Sequence, residues 1–423
     1  MDVVAPLAVI FVLGMIILGA CAQRAGDADS TWLRNVLFAA FILRVGAATM
    51  FATIPATRVF HDDAEGYERL GMAVASGWHG LSPRLHMMEE WPQNYGYYYF
   101  CAYLYYIGNA CRVLPSYVNS LMGSVTVFLV YRLARQFFHQ VVARRAALLV
   151  AFVPSMILWS SVALKDTAMT FCIVLSLSGC VALKRRFTFW TFVGMLLPVI
   201  AVQPLRFYML YFLSFAIFLS LFIDRGARVL TAVPKQIAFL FIAVGVLALV
   251  GFSGRVSSGL EIFDLEKVSV FRKGMATTAN SGFGQEADTS TAGGALAYLP
   301  KGAAYLLLSP FPWQFTSLRA GLAAPEMFVW WALIPSLIRG VRFAIKKRFA
   351  ECSPLLLFSV TLTGAYSLVH GNVGSGFRQR AQIFVFLFIF AALGQYVKLC
   401  RNRGIDEEVL LTGLDGASPQ SSG

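Results

Sequence analysis

Asp62 and Asp63 stand at the end of an apolar run, in FHDDAEGYERLGMAVASGW, and Asp166 stands at the junction of two others, in SSVALKDTAMTF. A carboxylate held within reach of a hydroxyl can serve as a general base. Arg378 and Arg380 occur in HGNVGSGFRQR, directly before another apolar run, and Arg206 lies between two further runs with Gln203 and Pro204. A guanidinium fork suits a pair of phosphate oxygens, and the three glycines before Arg378 let a backbone approach a ligand closely. These residue types point to acid–base chemistry beside a phosphate.

Each residue also has a plainer use. An acid at a helix N-terminus satisfies free N–H groups and the helix dipole. With two neighbouring acids, Asp62 can cap while Asp63 stays free. Asp63 and Tyr67, four apart, share one helix face. Asp166 opens an apolar segment with Lys165 as its local partner. An arginine near a span end can snorkel to the headgroups; that explains one of Arg378 and Arg380, but not the glycines. Arg44 falls inside an apolar run, where a functional or packed-interior role is the default reading. His61, His79, His86, Glu89 and Glu90 include no HExxH-like spacing, and a histidine metal site is not expected from them.

The elements that must position these groups are membrane helices. The chain has 423 residues, 58% hydrophobic and 14% aromatic, against roughly 45–50% apolar in soluble domains. Apolar stretches near twenty residues recur, each able to cross a bilayer core of about 30 Å; a β-barrel would need short alternating segments instead. The net charge of +13 does not imply nucleic acid, because the basic residues come in small clusters between apolar runs, the positive-inside pattern. The seven cysteines form no CxxC pair and read as packing residues. Leu18-Gly19-Ala20-Cys21 has the form of a lipoprotein cleavage box, but no Lys or Arg precedes the run, as a signal peptide requires, so a retained helix is expected.

The fold class expected is all-α, a polytopic membrane protein with about eleven spans at 3–21, 35–56, 116–134, 146–164, 167–183, 188–203, 207–223, 236–252, 325–341, 353–370 and 381–398. Residues 1–403 would form one transmembrane domain, followed by a polar, disordered cytoplasmic tail at 404–423. If the spans alternate, the clusters around Arg132–Arg145, Lys184–Arg186, Arg225–Lys235, Arg339–Arg348 and Lys398–Arg403 share one side, the cytoplasmic one. Residues 57–115, 253–324 and 371–380 then face outside, with Asp166, Gln203 and Arg206. Residues 63–78 carry helical apolar spacing, and the Tyr-rich 95–111 suits a membrane interface; both read as helices along the outer surface. The stretch 277–294 is a mobile loop by composition, and 296–309 reads as a further short surface helix.

The segment Asp63-Ala64-Glu65-Gly66-Tyr67, with its helix ending Ala75-Ser76-Gly77-Trp78, resembles the first outer loop of the GT-C membrane glycosyltransferases, in the branch of protein mannosyltransferases and aminoarabinose transferases. Residues 95–111, the span ending Arg132-Leu133-Ala134-Arg135, and Leu164-Lys165-Asp166 follow in the order found there. The likeness covers about residues 35–185. Ala64 stands where many members have a second acid, and Trp91-Pro92-Gln93-Asn94-Tyr95 replaces a Lys-Pro-Pro type stretch.

This resemblance implies a glycosyltransferase, hexosyl or pentosyl, whose donor is a sugar on a polyprenyl phosphate such as undecaprenyl phosphate. The acceptor would be a glycan, lipid or protein on the periplasmic or extracellular face of the plasma (inner) membrane. Asp63 would be the general base. Asp166 would orient the acceptor or a divalent metal, Mg or Mn. Arg378 and Arg380, with Arg206 and Lys165, would stabilise the leaving phosphate, Tyr67 would line the site, and loop 277–294 would close over it. Polymerases or ligases using lipid-pyrophosphate glycans are the alternative. A transporter or flippase would want paired helix-breaking or ionisable positions in related halves, which this sequence lacks.

Overall fold

The computed structural model describes residues 4–54, 62–80, 95–223, 264–279, 281–315 and 318–405. Among them the secondary structure is helical: α1 (Val4–Gln23), α2 (Asp27–Thr53), α3 (Asp62–Trp78), α4 (Tyr95–Ile107), α5 (Leu114–Phe137), α6 (Gln140–Phe152), α7 (Pro154–Ser160), α8 (Lys165–Arg185), α9 (Phe189–Leu205), α10 (Phe207–Phe222), α11 (Leu265–Thr278), α12 (Ala292–Leu308), α13 (Leu318–Val369), α14 (Val373–Gln379) and α15 (Ala381–Asn402). Six of these helices are long and apolar enough to cross a membrane, or seven with the bent pair α6–α7 counted as one. The helices α9 and α10, at 17 and 16 residues, are shorter. The span expected at 236–252 and the tail beyond 405 lie outside the described residues. The fold is all-α and polytopic.

Two expected spans are not simple rods. The run 146–164 breaks at Pro154, where α6 and α7 meet at 56°. Proline has no N–H to give the carbonyl four residues back, so Val150 O loses its helical partner. Ser155 N turns instead to Glu326 Oε2 at 2.7 Å, which frees Ala151 O as well. Arg44 takes both carbonyls, at 2.9 Å each, and Ser160 Oγ at 2.9 Å. The intramembrane arginine is therefore a buried bracket for a broken helix. Arg44→Met should leave two carbonyls without partners, at about 1–3 kcal/mol each. A lowered unfolding midpoint in nanodiscs, with little loss of activity per folded molecule, is expected; an unchanged midpoint would remove this account.

The second irregular element is α13. Its 52 residues break at Arg348, whose backbone is non-helical. Near its start, Glu326 meets Arg380; near its end, Tyr366 donates to Gln382 Oε1 at 2.7 Å. Both ends thus meet one short stretch of chain, so the element folds back on itself and its legs hold the expected spans 325–341 and 353–370. The first leg crosses α15 at backbone contact. A Cβ on Gly340 would lie 1.8 Å from Phe390 O, and one on Gly394 would lie 1.8 Å from Ser336 O, a small-residue crossing of the kind that lets membrane helices approach.

Among the described residues, the clusters around Arg132–Arg145, Lys184–Arg186 and Arg339–Arg348 gather at one end of the bundle. Lys184 Nζ donates to Ser220 O, Ile223 O and Ala350 O at 2.7–2.9 Å, tying the ends of α8 and α10 to the Arg348 bend. Arg185 reaches Gln136 O at the end of α5, and Arg144 Nε donates to Asp29 Oδ1 at 2.8 Å, at the start of α2. The opposite end carries α3, α4, the α7–α8 and α9–α10 junctions, and α14.

Candidate active site

At that opposite end the carboxylate of Asp166 lies between two arginines. Arg206 Nη2 donates to Oδ1 at 3.1 Å, and Arg378 Nε pairs with Oδ2 at 3.2 Å. Gln382 Nε2 reaches Oδ1 at 3.4 Å. Arg206 gives its other nitrogen to Tyr366 OH at 3.1 Å and Gln379 Oε1 at 2.9 Å. Asp166, Arg206 and Lys165 are buried, and the Arg378 side chain keeps 19% of its exposure. Asp166 stands in the first turn of α8, one position past its first residue. Its pairing is long-range, and the local capping use of an N-terminal acid does not account for it.

The turn that presents Lys165 and Asp166 is held from two sides. The fully buried amide nitrogen of Asn119 lies 2.8 Å from Val162 O and 2.9 Å from Leu164 O, and Thr167 Oγ1 donates to Trp159 O at 2.9 Å. Without hydrogen-bonding water in the bilayer core, irregular backbone needs such internal partners.

Helix α3 packs its inner face on α4. Tyr67, 7% exposed, has its ring centroid 4.9 Å from that of Tyr97 and 5.0 Å from that of Tyr98. Burial, with the nearby Asp166 charge adding to it, pushes the Tyr67 phenol up, so it keeps its proton at physiological pH. Asp63 lies on the first turn of α3; its side chain is outside the described residues, as are those of Asp62, His61, His86, Glu89 and Glu90. Helix α4 has 13 residues, short of the ~20 a span needs. A cleft of about 920 Å³ opens between the end of α2, α3 and the start of α5, and reaches Ser161–Ala163, just ahead of Lys165.

Arg378 and Arg380 part company. The stretch read as a glycine turn is the helix α14, capped by Asn372, whose side chain accepts from Gly374 N at 2.8 Å. Two residues apart on a helix, side chains diverge by about 200°. Arg378 points to Asp166, whereas Arg380, 1% exposed, pairs with Glu326 Oε1 at 3.7 Å, donates to Ser309 O and lies under the rings of Phe377 and Phe384. The first glycine also has a packing role. A Cβ on Gly371 would lie 2.3 Å from Arg272 O, and Gly371 O accepts from Phe283 N at 2.8 Å. That contact docks the segment 281–291, itself bound by buried Arg272 through Gly284 O and Ala287 O.

Tyr366, Gln379, Gln382, Asn119 and His370 were not singled out by spacing. Their signal was a polar side chain inside or at the edge of an apolar run. Among the described residues, no three His, Cys, Asp or Glu side chains converge to hold a metal ion, and both oxygens of Asp166 face guanidinium groups.

Residues 96–254 match the family model described as Dolichyl-phosphate-mannose-protein mannosyltransferase. No curated protein matches the chain. Among solved structures, the chain is similar to the archaeal oligosaccharyltransferase AglB from Archaeoglobus fulgidus in complex with an inhibitory peptide and a dolichol-phosphate, at 16% identity and TM-score 0.49, over 92% of this chain and 52% of that one. The apo form of the Archaeoglobus fulgidus oligosaccharyltransferase is similar at 15% identity and TM-score 0.48, over 89% of this chain and 52% of that one. The chain spans about half the length of these structures. The family match runs from α4 to beyond α10, the part of the chain that carries Lys165, Asp166 and Arg206, so this part is similar to the protein mannosyltransferases.

Proposed function

We propose that the chain is a membrane glycosyltransferase that moves a sugar from a polyprenyl-phosphate carrier to an acceptor hydroxyl at the outer face of the plasma membrane. The observation that carries this reading is the Arg206–Asp166–Arg378 cluster, with Asp166 and Arg206 buried and Arg378 half-buried, at the end of the bundle where α3 begins with Asp62 and Asp63. The matched family's description supports a lipid-phosphate sugar as donor. The acceptor, a glycan, lipid or protein, would approach through the cleft beside α3.

In the reaction, the acceptor oxygen attacks the anomeric carbon and its proton passes to Asp63. The bond from that carbon to the phosphate oxygen breaks, and polyprenyl phosphate leaves with the electron pair. Arg378 and Arg206 meet the charge that develops on the phosphate. Asp166 orients the two guanidiniums, Lys165 adds positive charge beside them, and Tyr67 borders the sugar. We assign Arg380 to holding α14 through Glu326.

Arg378→Ala should weaken polyprenyl-phosphate binding by about 1.5–3 kcal/mol, the worth of a hydrogen bond to a charged group, with the protein still folded. Arg380→Ala should instead lower stability by about 3–5 kcal/mol, because it strands Glu326 in a buried site. Equal effects of the two on binding, with equal stability, would return Arg380 to the phosphate.

The face follows from the positive-inside rule. Cysteines at Trp78 and Gly374 should react with an impermeant thiol reagent from outside, and those at Arg186 and Lys347 only after permeabilisation; all four positions are exposed. The reverse pattern would put the site in the cytoplasm. For the activity, purified protein is incubated with polyprenyl-phosphate sugars and acceptors, and free polyprenyl phosphate is measured. Release from at least one donor is expected. Turnover restricted to pyrophosphate-linked glycans would overturn the assignment in favour of a polymerase or ligase.

A further inference from the structure

His370 follows directly on the last residue of α13 and is 3% exposed. Its ring lies edge-on to Tyr366, with centroids 4.9 Å apart, and Tyr366 OH holds Arg206. The ring is close enough to Arg206 and Arg378 for both charges to act on it; burial first, and then those charges, pull it down to about 3. It is therefore a neutral imidazole throughout the physiological range. Nδ1 has Ser375 Oγ at 3.5 Å. Nε2 is buried and has no partner in hydrogen-bond geometry; the polar side chain that acts on the ring is that of Gln379. Gln379, close by, gives its oxygen to Arg206. A buried imidazole nitrogen without a partner costs free energy, and here it sits among the groups that hold Asp166.

We propose that His370 is a third ligand of the phosphate, its Nε2–H donating to a non-bridging oxygen of the polyprenyl phosphate held by Arg206 and Arg378. This rests on the phosphate-site reading above. With the proton on Nε2, Nδ1 is an acceptor for the Ser375 hydroxyl, which would turn to it from Asn372 O when the phosphate binds. No proton is transferred; the neutral ring supplies one directed hydrogen bond, which two guanidiniums and a carboxylate leave to be made. It also favours the phosphate over a second carboxylate, since a tetrahedral anion offers an oxygen out of the plane of the arginine contacts.

The test uses full-length protein in nanodiscs, with binding of a short polyprenyl phosphate and of the matching polyprenol measured in parallel. His370→Ala should weaken the phosphate by about 10–100-fold, the range for one charge-assisted hydrogen bond, and leave the alcohol unchanged. His370→Gln, whose amide nitrogen falls near the position of Nε2, should recover most of that affinity. Inorganic phosphate should compete with the lipid in wild type and compete less well in His370→Ala, which separates recognition of the headgroup from that of the tail. Wild-type phosphate binding by His370→Ala would overturn the proposal. So would equal weakening of lipid phosphate and alcohol, or failure of glutamine to restore a folded protein's affinity. Arg378→Ala is the companion: if it weakens phosphate binding and His370→Ala does not, only the histidine is wrong. If neither does, the phosphate site itself is misplaced.

Discussion

Asp63→Asn is expected to leave a folded protein that still binds lipid donor while turnover falls by about two orders of magnitude or more, the share a positioned general base contributes. The carboxamide is nearly isosteric with the carboxylate but cannot take the acceptor proton. Asp62→Asn should be milder in rate; as the first residue of α3, Asp62 meets the helix dipole, and its loss should appear as about 0.3–1 kcal/mol of stability. Donor binding, single-turnover rate and unfolding midpoint, measured on the same preparations, separate the two. Should both neighbours lose stability alike while Asp63→Asn turns over near the wild-type rate, the acid is a cap and the base lies elsewhere.

The sequence made the helices and their ends legible, because apolar length and basic clusters are local signals. Asp166, Arg206 and Arg378 fall at one end by alternation alone, and the structure brings those three into contact. What spacing could not supply was partnership. Asp166 and Arg206 are 40 positions apart, and Asp166 and Gln382 are 216 apart; no periodicity encodes such a pair. Arg378 and Arg380 look equivalent as two arginines before a span. The helix α14 turns them to opposite sides, and that helix is invisible in a Gly-rich segment whose glycines suggest a turn. Arg44 is the converse case. Its position in an apolar run marked it as functional or internally packed, and its partners appear only when α2 is seen beside the α6–α7 break at Pro154. His370 and Gln379 gave the weakest signal, being polar residues in a stretch already credited to the arginines.

The ion pairs of Asp166 should respond unequally to substitution, and the inequality tests whether the carboxylate organises the site. Arg206 is buried and serves Asp166, Tyr366 and Gln379 together. Arg206→Met should cost about 3–5 kcal/mol of stability, because a buried charge and two polar groups lose a partner at once. Lysine should not rescue it, since a point charge cannot serve three acceptors in the plane of a guanidinium. Arg378, with 19% of its side chain exposed, can rehydrate, so Arg378→Ala should cost far less stability, roughly the 0–1 kcal/mol of a partly solvated pair. Asp166→Asn leaves both guanidiniums without their carboxylate; its turnover should fall between those of Asp62→Asn and Asp63→Asn. The double variant Asp166→Asn/Arg206→Met should be more stable than the two single losses predict when added, by about 0.5–3 kcal/mol, because each single change already forfeits the shared contact. Additivity within about 0.5 kcal/mol would mean that Asp166 and Arg206 do not support each other in the membrane. The arginines would then need another anchor.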